Sequence, residues 1–280
     1  MIKIIHTGHA GYLFKINNKV LVCDHWSDTY SSFEGSWEKL EKDNFSTEVL
    51  EDLYNPDFIW CSHAHGDHFD ETYLSNITSK AKLIIPNFFD KSFENLIKKK
   101  KLKLDLICLK DEEKFYLNDS DYMQIFFEEP VYTNHSSLFL KTKDKNIFHN
   151  ADTTINDQFK NKIFKNSDLS KIDFLIGQYT NPTPYPWSIE MNLLKKEEEA
   201  IDMHNNSLNA FLNMIFDLKP KNSLPCAGPA IVKNYNVDMH KRANKIIYDK
   251  EANLNFLEKN KKFNTKIINV KSGTEINCDT

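Results

Sequence analysis

Residues 58 to 68 read Phe58-Ile59-Trp60-Cys61-Ser62-His63-Ala64-His65-Gly66-Asp67-His68. The first four are apolar and read as a buried strand. The last six hold three histidines and an aspartate, more polar groups than packing needs. Imidazole and carboxylate are the ordinary ligands of zinc, iron and manganese. A strand that ends in such a run would hold ligands rigid on one side and leave them open on the other. The stretch therefore predicts a metal site at the end of a strand.

Two later residues fit the same pattern. His135 stands in Thr133-Asn134-His135-Ser136-Ser137, just before a strand-like run. Asp152 stands in Phe148-His149-Asn150-Ala151-Asp152, just after one. Each is weak alone, because a lone histidine is more often a packing residue. Together with the first cluster they place ligands at several strand ends.

The surrounding pattern predicts a layered α/β chain. Ile2 to His6, Tyr12 to Ile16 and Lys19 to Cys23 read as strands, the last two joined by an Asn17-Asn18 turn. A polar, aromatic stretch from Trp26 to Asn44 reads as a long loop with a short helix. Strands over 57–61, 82–86 and 104–109 alternate with helices over 71–78 and 90–100. Strand-like runs follow at 113–117, 122–128, 137–141, 146–149 and 172–179. A long amphipathic helix opens near Lys195 and reaches Leu218. No repeats or linkers interrupt the 280 residues, so one domain over 1–280 is expected.

Composition narrows the function. A net charge of −4 gives no electrostatic reason to expect nucleic acid as a partner. No apolar run is long enough to span a bilayer, and no leader pattern opens the chain. The five cysteines are scattered without CxxC spacing, which suits a reducing cytoplasm and excludes a thiolate zinc knuckle. Arg242 is the single arginine, so phosphate cannot be held by several bidentate guanidinium forks. The lysine, asparagine and isoleucine excess reads as an AT-rich, bacterial coding bias. With seven glycines and no GxGxxG or GxxxxGK run, no phosphate-cradling loop is expected.

The order His63-x-His65-x-Asp67-His68, then a distant histidine, then an aspartate, resembles the metallo-β-lactamase superfamily. The resemblance implies a four-layer αββα sandwich with two metal positions. His63, His65 and His135 would hold one ion; Asp67 and His68 would hold the second, and Asp152 would bridge. Gly8-His9-Ala10 and Cys23-Asp24-His25-Trp26 are similar to the branch that contains ascorbate-6-phosphate lactonase. Gly177 to Met191 and Leu224-Pro225-Cys226-Ala227-Gly228-Pro229 are closer to the metal-binding domain of CMP-N-acetylneuraminate hydroxylase. Hydrolases of the superfamily supply a last histidine after the final core strand. Here that place reads Pro225-Cys226-Ala227-Gly228-Pro229.

This predicts a hydrolase acting on a lactone, phosphodiester or sugar derivative, with Asp67 orienting or deprotonating water on one or two divalent ions. Zinc is the first expectation, iron or manganese the others. The alternative is a di-iron oxygenase. It would need an electron-donor protein, because no Rieske Cys/His pattern occurs in the chain. His9, His25 and His240 are candidates for the rim of the site or for residues behind its ligands. His6, His149 and His204 read as structural. The stiff loop Asn181 to Trp187 could be a flap, placing Tyr185 or Trp187 on a substrate ring.

Overall fold

The computed structural model describes residues 2–30, 32–39, 41–128, 134–180, 185–186, 188–228, 230–232, 250–262 and 264–278. Two seven-stranded sheets carry the fold. The first contains β1 (Ile2–His6), β2 (Tyr12–Ile16), β3 (Lys19–Cys23), β5 (Phe58–Trp60), β6 (Lys82–Pro86), β7 (Asp105–Leu109) and β16 (Glu275–Asn277), in the order β16-β1-β2-β3-β5-β6-β7. The second contains β8 (Lys114–Tyr116), β9 (Tyr122–Phe127), β10 (Ser136–Lys141), β11 (Asn146–His149), β12 (Phe174–Gln178), β13 (Asn222–Cys226) and β15 (Lys266–Ile267), in the order β15-β13-β12-β11-β10-β9-β8. A small ribbon pairs β4 (Trp37–Lys39) with β14 (Ala230–Val232).

Each sheet is antiparallel in one half and parallel in the other. β1, β2 and β3 form a meander, then β3, β5, β6 and β7 run parallel. The second sheet repeats this, antiparallel from β8 to β11 and parallel from β11 to β15. Parallel strands are covered on both faces and so read as unbroken apolar runs. That is why Phe58-Ile59-Trp60 and Phe174-Leu175-Ile176 show no alternation.

The main core lies between the sheets. Ile4, Tyr12, Phe14 and Leu21 from the first sheet join Ile125, Leu138, Ile147 and Leu224 from the second. Helices α2 (Thr47–Tyr54), α3 (Glu71–Ser75) and α4 (Ser92–Lys100) cover the first sheet with Val49, Leu53, Tyr73, Phe93 and Ile97. Helices α5 (Asp157–Ile163), α6 (Leu193–Leu218) and α7 (Lys250–Asn260) cover the second. There Phe159, Phe211, Ile215 and Leu257 pack on Phe126, Phe139 and Phe148. Truncating any one of these phenylalanines to alanine costs about 3–5 kcal/mol. Gly177 lets α6 approach β12 closely; a Cβ there would sit 2.9 Å from the Phe211 ring. The layers are α, β, β, α, as the sequence led us to expect.

The expected strands at 2–6, 12–16, 19–23, 82–86 and 146–149 match the observed ones residue for residue. The expected helix over 71–78 is shorter, ending at Ser75. The stretch from Trp26 to Asn44 contains β4 and α1 (Ser32–Gly35), a left-handed turn with Phe33 and Glu34 both at positive φ. Helices α2 and α5 were not anticipated. Each begins at a polar cap, Ser46 accepting from Val49 N and Asn156 from Phe159 N. All five cysteines are free. No helix among the described residues is long and apolar enough to cross a membrane.

Candidate metal centre

The parallel strands of both sheets deliver their C-terminal ends to one edge. Beyond the end of β3 comes Asp24, beyond β5 the 63–68 run, beyond β11 Asp152 and beyond β13 Ala227-Gly228. His135 precedes β10 at the same edge, and His9 follows β1. Residues 63 to 68 turn tightly there, with the backbone N–H groups of His68 and Phe69 both donating to the His65 carbonyl. Gly66 lets the Ser32–Phe33 segment approach this turn closely, because a Cβ would sit 2.5 Å from Ser32 Oγ.

His63, His65 and His135 bring ligand atoms together, and so do His63, His68 and Asp152, and His9, Asp67 and His68; within each trio the atoms lie within 4.8 Å of one another. In the first trio, His63 Nε2 and His65 Nδ1 are 2.8 Å apart. The rings of His63 and His135 are 4.6 Å apart at their centroids. His68 Nε2 stands 3.3 Å from Asp152 Oδ1 and 3.8 Å from Asp67 Oδ2.

The hydrogen bonds behind these atoms fix which ring nitrogen faces the site. Asp24 is fully buried and accepts from Ser62 N at 2.7 Å, Ser62 Oγ at 2.7 Å and His68 Nδ1 at 2.8 Å. Because Ser62 Oγ donates to Asp24, it accepts from His63 Nδ1 at 2.8 Å. Glu128 accepts from His135 Nδ1 at 3.1 Å and from Thr154 N at 2.8 Å. His63, His68 and His135 thus commit Nδ1–H behind the site and turn an Nε2 lone pair into it, the arrangement that orients ligating imidazoles.

What they face is more acceptors. His68 Nε2, Asp67 Oδ1 and Asp152 Oδ1 are buried without a hydrogen-bond partner. Such atoms cost about 1–3 kcal/mol each when left alone. Imidazoles and carboxylates converging in this way are what a cation satisfies, taking the place of the proton on His68 Nε2. The donor set of imidazole and carboxylate fits zinc, iron or manganese.

Without a cation, the charge that the site demands falls on His68, whose Nε2 then carries a proton facing Asp152 and Asp67. Burial, helped by the neighbouring His68, His65 and His135 rings, pushes His63 well below its usual range. Burial lowers His65 as well. Burial opposes charge on His68, but Asp152, Asp24 and Asp67 outweigh it and raise its pKa well above normal. Burial likewise opposes ionisation of Asp67, yet His68 and His9 bring its pKa down to about 2. Asp152 is lowered too, burial again being overcome by His68.

A cleft of about 560 Å³ opens onto the cluster. Phe33 and Trp37 line it, together with Gln178, Asn213 and Met214. The Trp26–Asn44 stretch thus contributes the aromatic side chains Phe33 and Trp37 to the cleft. Trp26 is fully buried instead and stacks edge-on against His9 at 5.2 Å.

Of the remaining candidates, His9 enters the cluster, 3.1 Å from Asp67 Oδ2. His25 does not. It is buried against Tyr73 and Phe45, outside the ligand trios. Tyr185 is half-exposed; its hydroxyl donates to Glu199 at 3.2 Å, and it is not among the cleft residues described. Trp187 and His240 lie outside the described residues. His149 packs between Tyr12 and Trp60 and bonds the Ala10 carbonyl, as expected of a structural histidine. His204 bonds Asn253 within the helical layer, and His6 bonds the His9 carbonyl. Asp24 and Glu128 were missed. Each follows an apolar strand directly, but the ring that each one holds is set by cross-strand placement.

No protein-family model matches the chain. A curated protein of Mycolicibacterium smegmatis, described as a candidate Rieske 2Fe-2S iron–sulfur protein, is 23% identical over 235 residues. That match takes in 81% of this chain but 43% of the relative, so the chain spans less than half of its length. Among solved structures, Igni18, a metallo hydrolase from Ignicoccus hospitalis, aligns with a TM-score of 0.61 at 12% identity, over 98% of this chain and 97% of its own. CmlA, a diiron β-hydroxylase from Streptomyces venezuelae, aligns with a TM-score of 0.62 at 10% identity, over 98% of this chain and 54% of its own. Other similar folds are a protein of Veillonella parvula described as a possible metal-dependent hydrolase, with a TM-score of 0.61 at 15% identity, and an isothiocyanate hydrolase from Delia radicum gut bacteria, with a TM-score of 0.61 at 14% identity. The likeness is one of fold, and the fold is that of the metallo-β-lactamases.

Proposed function

We propose that residues 1–280 act as one metallo-β-lactamase-like domain, a metal-dependent hydrolase of a small ester-type substrate. His63, His65 and His135 hold one divalent ion, Asp67 and His68 a second, and Asp152 lies between. The observation that carries this is the convergence of three ligand trios drawn from His9, His63, His65, Asp67, His68, His135 and Asp152 beside a cleft of about 560 Å³ that His65, Asp67, His135 and Asp152 line. An ion bound there lowers the pKa of its water from 15.7 to about 7 and polarises a substrate oxygen.

The chain's own groups do the rest. Asp24, Ser62 and Glu128 hold the imidazoles in the tautomers that ligate. Asp67, ionised at neutral pH, orients the attacking water and accepts its hydrogen bond. Phe33 and Trp37 offer an apolar wall, and Gln178 and Asn213 offer amides for substrate oxygens.

A second reading, a di-iron oxygenase fed by a separate electron donor, has its own support. CmlA shares the fold at 98% coverage of this chain. The Mycolicibacterium relative has a Rieske description and more than twice the matched length. Residues 225–229, where hydrolases of the resembled superfamily place a histidine after the last core strand, contain none. Metal analysis of protein purified without added metal, with oxygen uptake on reduction, decides between them. Zinc or manganese with ester hydrolysis and no oxygen uptake supports the hydrolase; iron with reductant-dependent uptake replaces it with the oxygenase.

A further inference from the structure

We propose that His9 supplies the ligand that Ala227-Gly228 fails to supply, completing the second metal position with Asp67 and His68. This rests on the metal-centre reading above and deepens it.

The region that lacks a histidine is in contact with one. Ala227 N donates to the His9 carbonyl at 3.0 Å. The Gly228 carbonyl accepts from His9 Nδ1 at 2.6 Å. A carbonyl can only accept, so His9 Nδ1 carries the proton. In the neutral ring Nε2 then holds a lone pair. That lone pair points at Asp67 Oδ2, 3.1 Å away. Both atoms are acceptors, so something positive belongs between them, either a proton or a cation.

The neighbouring ring favours the cation. His68 has also committed Nδ1–H, to Asp24, and turns Nε2 toward the same Asp67 oxygen at 3.8 Å. Protonating both rings would place two imidazolium charges against one carboxylate oxygen. A single cation serves both rings and the carboxylate at once. Zinc sits about 2.0–2.2 Å from such ligands, which separates the ligand atoms by roughly 3–3.6 Å. The observed separations lie in or near that range. The rings of His9 and His68 stand edge-on, 6.1 Å between centroids, so neither blocks the other.

The backbone supports a purpose for this placement. His9 adopts a φ of +50°, in the left-handed region that costs a non-glycine residue roughly 1–3 kcal/mol. Ala227 is also left-handed, at +54°. The two strained residues hold each other through the bond from Ala227 N. The ring is buried, walled by the edge of Trp26. A ring that served packing alone would need neither the strain nor a lone pair aimed at a carboxylate.

The test uses cadmium-113 and the full chain labelled with nitrogen-15 histidine. Two cadmium ions should bind, the second coupled to two histidine nitrogens, those of His9 and His68. His9→Gln should weaken the second ion at least about 100-fold in a chelator competition, leaving the first within about threefold. His240→Ala should leave both unchanged. Three results overturn the assignment: a second ion coupled to His68 without His9, a second ion lost in His240→Ala instead, or titration of His9 as an ordinary imidazolium with cadmium bound. A single ion on His63, His65 and His135 also overturns it and spares the first site. No cadmium at all overturns the metal-centre reading itself. The coupling is read on wild-type protein, so a variant that does not fold leaves the test intact.

Discussion

Asp24→Asn is the perturbation that most directly separates the two metal positions. Asp24 accepts three hydrogen bonds in a fully buried place, from Ser62 N, Ser62 Oγ and His68 Nδ1. An asparagine keeps one oxygen and turns its NH2 toward one of the donors. Facing His68 Nδ1–H, that group forces the imidazole proton over to Nε2. The lone pair aimed at Asp67 and Asp152 is then gone. Losing a partner behind a ligating imidazole costs roughly 10–100-fold in metal affinity, about 1.4–2.7 kcal/mol. His63 keeps its bond to Ser62, so the first ion should be unaffected. The metal-free protein should show a second signature. His68 has a raised pKa in the fold, so its stabilisation is present below the unfolded value near 6.5 and is lost as pH rises through the raised one. Removing one of the carboxylates that raise it should lower stability by about 1.5–3 kcal/mol below that point, and by less at high pH. Chelator competition with cobalt, and denaturant unfolding at two pH values, read both effects. A folded Asp24→Asn protein that binds both ions with wild-type affinity would refute the tautomer argument.

The remaining expectations divide the same site differently. Glu128→Gln should mirror Asp24→Asn, weakening the ion on His63, His65 and His135 about 10–100-fold while sparing the other, as read by the same competition. His65→Ala should remove the first ion outright, seen as a drop in bound metal per chain. Full metal content would mean that His65 is not a ligand. His25 is buried against Tyr73, and desolvation first, then Lys39, lowers its pKa to about 3. The neutral ring is favoured in the fold, so His25 stabilises above pH 6.5 and loses that contribution as pH falls toward 3. At pH 5 the loss is about 2 kcal/mol. His25→Leu should therefore move acid unfolding of the metal-free protein to lower pH, with metal content unchanged. A shift to higher pH would show that the ring is needed charged.

The site was legible where chemistry and chain order coincide. The 63–68 run carries four polar groups on one strand end, and no packing pattern asks for that density. His135 and Asp152 were legible as strand-end residues because apolar runs mark the strand ends. Asp24 and Glu128 were not, because a buried acid after a strand reads the same whether it caps a turn or holds a ring. What distinguishes them is the parallel pairing of Cys23 with Trp60, which sets Asp24 beside Ser62, and the β9–β10 register that sets Glu128 against His135. Neither register is written in local periodicity. The hardest residue was His9. Its sequence neighbours are glycine and alanine, which suggest a turn, and the turn is real. Its partner Gly228 lies 219 positions away and contributes only a carbonyl, which any residue could have provided. A ligand recruited in this way leaves no spacing to find. The missing histidine after β13 was visible in the chain, but the ring offered in its place could be seen only once the loop after β1 met the loop after β13.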